Sequence, residues 1–194
     1  GFYCFHKEMS SALSNLDSLS QGQADALYEK LRIIPDSIAN LGVLTALLPK
    51  LSRSKYLMAL EQIGTSSNNL LEVDEFKAQT LYNEFQRITQ GGSSLTDTEL
   101  TTAIIQALGK NSGYLADEKL AEIFKSIDNE PLRMTIIAAY SNPTFARFGS
   151  RLNIFHTLFE FSPEERRPYA EALAQVVQDN YSTLQATGGA NNSS

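Results

Sequence analysis

The stretch Leu95-Thr96-Asp97-Thr98-Glu99-Leu100-Thr101-Thr102-Ala103-Ile104-Ile105-Gln106-Ala107-Leu108-Gly109 decides the fold class. Thr96 followed three residues later by Glu99 is the pattern of a reciprocal helix cap, in which each side chain takes a free backbone N–H of the first turn. Leu95 before the cap and Leu100 after it make the apolar pair that fixes how a chain enters a helix. Ala103, Ile104, Ala107 and Leu108 then recur at steps of one, three and four, which is one helical face. Gly109 suits the left-handed residue that ends a helix. Together they predict a helix that starts at Thr96 and stops at Gly109.

The same spacing extends in both directions. Upstream, Ala24, Leu27, Leu31 and Ile34 form a stripe that Pro35 stops, and Ile38, Leu41, Leu44 and Leu48 form one that Pro49 stops. Tyr56, Leu57, Leu60 and Ile63 run to Gly64, and residues 65–69 are a polar connector. Val73, Phe76, Leu81, Phe85 and Ile88 follow, closed by Gly91-Gly92. Downstream, Leu120, Ile123, Phe124 and Ile127 mark a short helix, and another spans about Pro131 to Tyr140. Asn142-Pro143 reads as a cap and first helical residue. It leads into Phe145, Phe148, Leu152, Phe155 and Phe159, a stripe at helical spacing whose first task is core packing. Ser162-Pro163-Glu164-Glu165 is a second capping box. Tyr169, Leu173, Val176, Val177, Tyr181 and Leu184 carry a last helix, with a kink or restart expected at Pro168.

Composition agrees. The 194 residues include 25 Leu and 19 Ala against 4 Val, and Leu and Ala favour helix where Val favours strand. An all-α fold of about nine helices follows, either an orthogonal bundle or a short helical stack. Residues 1–186 read as one helical domain with sub-units 22–64, 72–128 and 130–186, and residues 187–194 as a flexible polar tail.

An internal echo bears on the second architecture. Leu27-Tyr28, Leu31 and Ile34 match Leu81-Tyr82, Phe85 and Ile88, and Leu57, Leu60 and Ile63 match Leu120, Ile123 and Ile127. Over residues 24–128 this triplet pattern resembles armadillo and HEAT-type helical repeats. The likeness lies in apolar spacing alone and implies stacked helices with an extended surface.

The net charge of −6 is local. Residues 65–130 hold eleven acidic and five basic side chains, whereas the segments before and after are balanced. The last third uses only arginine: Arg133, Arg147, Arg151, Arg166 and Arg167. An acidic chain without a basic run is a poor nonspecific binder of nucleic acid. No stretch approaches the roughly 20 apolar residues of a membrane span.

Chemistry-bearing motifs are few. Cys4, His6 and His156 do not form a recognisable nucleophile–base set, and no HExxH or EF-hand spacing occurs. Gly91-Gly92-Ser93-Ser94 lacks the lysine of a phosphate-binding loop. Glu72, Asp74 and Glu75 cluster at a helix start, where carboxylates complement the macrodipole. No catalytic residue, cofactor or metal is expected. Arg147 and Arg151, four apart, read as sharing a helical face, with Arg166 and Arg167 near enough to join them. Such arginines can fork onto carboxylates or phosphates.

The leading expectation is a non-catalytic interaction module of adaptor or scaffold type. Its protein or peptide partners would meet an arginine face (Arg147, Arg151, Arg166, Arg167) or an acidic one (Glu72, Asp74, Glu75). A second is an all-α domain of a larger, secreted bacterial effector. A third is an enzyme with a carboxylate- and arginine-lined cleft. A soluble chain in the cytoplasm, of its producer or of a host cell, fits the first two.

Overall fold

The computed structural model describes residues 15–34, 38–66, 71–90 and 97–189. Among the described residues there are nine α-helices and no strand, so the fold is all-α. The chain divides into two compact units, Gly1–Ser67 and Asn68–Ser194, and the boundary falls inside the polar connector 65–69.

The first unit holds α1 (Gln21–Leu31), α2 (Ile38–Leu47), a 3-10 turn at Leu48–Lys50, and α3 (Arg53–Thr65). Ser20 and Gln23 form a reciprocal cap on α1: the Gln23 N–H donates to the Ser20 hydroxyl and the Ser20 N–H to the Gln23 side chain. Pro49 turns the backbone after α2 into the 3-10 turn. Asp25 on α1 accepts the Ser52 N–H at 2.9 Å, so α1 holds the start of α3. Ala24, Tyr28, Leu44, Leu47, Leu48, Tyr56, Leu60 and Ile63 are buried. The stripe on α1 is displaced from the expected one. Ala24 and Tyr28 face the core, whereas Ile33 and Ile34 are exposed in the turn after the helix.

The second unit comprises α4 (Leu71–Thr89), α5 (Thr98–Gly109), α6 (Tyr114–Ser126), α7 (Glu130–Ala139), α8 (Asn153–Phe159) and α9 (Pro163–Gly189). Its packing skips along the sequence. Helix α4 packs on α6 and α6 on α8, while α5 packs on α7 and α7 on α9. Even-numbered helices therefore form one layer and odd-numbered helices the other, joined by neighbours such as α4 and α5. That is the pattern of a stack. Ile104, Ile105, Leu108, Leu120, Ile123, Phe124, Leu132, Ile136 and Ile137 fill the space between layers. Burying each such side chain fully is worth about 1.5–3 kcal/mol.

Three expectations are corrected. Helix α5 begins at Thr98, one turn position later than expected: Asp97 is its cap, accepting the Leu100 N–H at 3.1 Å. Thr96 and Leu95 lie outside the described residues. Gly109 is helical, not left-handed. It is needed because a Cβ there would sit 2.8 Å from the Ala139 Cβ, so glycine lets α5 and α7 touch.

The phenylalanine stripe is not one helix. Residues Pro143–Arg147 and Gly149–Arg151 are separate 3-10 turns, followed by the short α8. Gly149, at φ +54°, breaks the run, since only glycine adopts that backbone readily. Pro168 does not restart α9, which is one helix from Pro163 to Gly189. Only one hydrogen bond, close to the helix start, is forfeited there.

Candidate functional site

Two features of the second unit stand out, a groove and a buried polar knot. The groove crosses the C-terminal ends of α5 and α7, where Gly109 and Ala139 meet. It is an open depression of about 570 Å³ bordered by Gln106, Lys110, Thr135, Ser141 and Pro143. Asn142 ties its end together: its Nδ2 donates to the Gly109 carbonyl at 2.8 Å while its Oδ1 accepts the Thr144 N–H at 3.1 Å. The Asn142-Pro143 cap expected from sequence thus has a second function, holding the 3-10 turn against α5.

The knot centres on Asp117, which is fully buried in the first turn of α6. Its carboxylate accepts the Tyr140 hydroxyl at 2.6 Å, the Asn153 N–H at 2.6 Å, the Asn153 Nδ2 at 2.9 Å and the Ile154 N–H at 3.4 Å. Helix α8 has no local side-chain cap, because Leu152 occupies that position. Asp117 supplies it from another helix. Burial pushes the Tyr140 hydroxyl well above the usual tyrosine range, and the charge of Asp117 adds to the rise. An ionised carboxylate has about four lone-pair sites, and four donors take them here. Asp117 therefore binds α6, α7's end and α8 together.

A third cluster lies where α6, α7 and α9 meet. The Arg133 guanidinium stacks on Phe124, Phe161 and Tyr169, at 5.2, 4.8 and 5.7 Å from the ring centres, and its Nε donates to the Phe124 carbonyl at 3.2 Å. This arginine fills its own aromatic cage and caps the end of α6.

The expected arginine face separates into two places. Arg147 and Arg151 end two different 3-10 turns, and both are exposed. The Arg151 carbonyl accepts the Tyr114 hydroxyl at 2.7 Å, which sets that residue beside the first turn of α6. Arg166 lies at the other end of α6. It donates to the Phe161 carbonyl at 3.2 Å, and Phe161 packs edge-on against Phe124. Ten residues of helix separate Tyr114 from Phe124, about 15 Å. Arg166 also stacks on Phe159, which is 72% exposed, and Arg167 is exposed beside it. Among the described residues, no carboxylate pairs with Arg147, Arg151, Arg166 or Arg167.

The acidic trio also divides. Glu72 and Glu75 are exposed on α4. Asp74 is buried: its carboxylate accepts the Ser112 hydroxyl and its carbonyl accepts Asn111 Nδ2 at 2.9 Å. It therefore anchors the α5–α6 connection and offers nothing to a partner. His156 is exposed on α8, and Cys4 and His6 lie outside the described residues. Among the described residues no helix is long and apolar enough to cross a membrane.

Sequence reasoning found the capping role of Asn142 but not its bond to Gly109, and it did not find Lys110, Asp117 or Tyr140. One signal was present: a helix opening Leu152-Asn153-Ile154 lacks a capping side chain and must receive one from elsewhere. No protein-family model, no curated protein and no solved structure matches this chain.

Proposed function

We propose that the chain is a helical protein–protein interaction module of adaptor or scaffold type. The observation that carries this is the two-layer packing of residues 68–194, which leaves an open groove across the ends of α5 and α7. Stacked helices expose long surfaces that suit partner segments. Exposed Arg147, Arg151 and Arg167, without carboxylate partners among the described residues, with Glu72 and Glu75 on α4, add charged edges that steer and orient association. Asp117 and Asp74, buried carboxylates of the same unit, are engaged in holding helices, which weighs against acid–base catalysis.

The test is affinity capture with the full chain at low and raised salt. Saturable capture of a protein partner, weakened by salt, is expected. Absence of any saturable partner overturns the reading.

A further inference from the structure

We propose that the groove at the ends of α5 and α7 docks an extended acidic peptide segment of a partner protein. The inference rests on the interaction-module reading and names the class of partner.

Helix C-termini ordinarily repel anions, because their free carbonyls carry partial negative charge. Here those carbonyls are occupied. The Gly109 carbonyl accepts from Asn142 Nδ2, the Gln106 and Ala107 carbonyls accept the Lys110 N–H at 3.2 Å, and the Ala138 carbonyl accepts the Ser141 N–H at 3.1 Å. What remains is the exposed side chain of Lys110, which has no carboxylate partner among the described residues. No carboxylate lines the groove. Pro143, on its rim, opens the 3-10 turn that ends at exposed Arg147, about 8 Å further along at the 3-10 rise. A second turn then carries Arg151. Lys110 is thus the cation that lines the groove, and the chain leaving its rim at Pro143 carries Arg147 and Arg151, in a molecule whose net charge is −6.

The occupant is extended because the walls offer hydrogen bonds. The Gln106 and Ser141 side chains make none to described residues and can pair with peptide backbone, as sheet-like recognition does. A helical segment has no free backbone groups to use them.

The experiment is selection of a random displayed peptide library on the full chain, with binding of the enriched peptides then measured by fluorescence anisotropy. Peptides rich in Asp and Glu are expected. Lys110→Glu should weaken them by about tenfold or more, Ala138→Trp should block them by filling the groove, and Lys125→Glu, away from the groove, should leave them unchanged. Circular dichroism confirms that each variant keeps the parent helical content. Enrichment of neutral or basic peptides, no enrichment, or acidic peptides that bind Lys110→Glu as before, each overturns the proposal. So does a dimer of the chain that Lys110→Glu dissociates, which assigns the groove to a second copy. If affinity capture finds a saturable partner indifferent to Lys110→Glu, the docking proposal falls and the interaction-module reading stands.

Discussion

Gly109 and Gly22 are both helical, yet the same substitution by alanine should have opposite effects at the two. A Cβ at position 109 meets the Ala139 Cβ at 2.8 Å, whereas one at position 22 meets nothing within 4 Å. Gly109→Ala is expected to cost about 1–3 kcal/mol through overpacking, despite alanine's higher helix propensity. Gly22→Ala should instead stabilise by about 0.4–1 kcal/mol, by restricting the unfolded chain. Thermal melts of the two variants give opposite shifts if this holds. Thr101 is the contrasting polar case. Its hydroxyl is the one buried side-chain oxygen without a hydrogen-bond partner among the described residues. Thr101→Val should leave stability unchanged or raise it by up to about 1 kcal/mol in urea unfolding, since no bond is lost and an unsatisfied group is removed. Gly109 also shows why single residues resist reading from sequence. Glycine after an apolar run fits a left-handed stop as well as a close contact, and only Ala139, thirty residues on, separates the two.

Helix identity was legible because apolar side chains repeat with the helical period over long runs, as in Ile104, Ile105 and Leu108 or Leu120, Ile123 and Phe124. Helix ends were less so. Thr96-Asp97-Thr98 offers three adjacent capping side chains, and the structure uses Asp97. Asp97→Ala should cost about 1 kcal/mol, read from urea midpoints. The region from Phe145 to Phe159 misled because 3-10 turns also repeat near every third residue, so their aromatics mimic a helical stripe. The apparent continuity hid Gly149, and with it the fact that Arg147 and Arg151 end two different turns. The groove was not legible at all, since its walls come from two helices whose ends meet only after folding. Asp117 binds across elements in the same way. Asp117→Ala would strand the Tyr140 hydroxyl and the N–H groups of Asn153 and Ile154, a loss of at least about 3 kcal/mol. Asp117→Asn, which keeps an acceptor oxygen, should lose less in the same urea titration.

For the molecule as a whole, the knot predicts alkaline sensitivity. Tyr140 has its ionisation displaced upward in the folded state. The unfolded chain therefore releases this proton first, and stability is full below the ordinary tyrosine value near 10 and falls as pH rises past it. The slope from one such group approaches about 1.4 kcal/mol per pH unit. Urea unfolding from neutral pH upward should show that decline, and Tyr140→Phe should flatten it while lowering stability at neutral pH through loss of the bond to Asp117. The uneven distribution of charge along the chain was readable from sequence. Which charges face solvent was not, because burial of Asp74 depends on Ser112 and Asn111 arriving from the α5–α6 connection, 37 and 38 residues away.

The cap that Asp117 lends to α8 also orders events in time. Helix α8 has seven residues, too few to persist alone in water, and its cap lies 36 residues away in sequence. It can form only once α6 presents its buried carboxylate. The segment from Leu152 to Phe159 is therefore expected to assemble late, after α6 and α7 have packed. Loosening this knot should hasten unfolding far more than it slows folding.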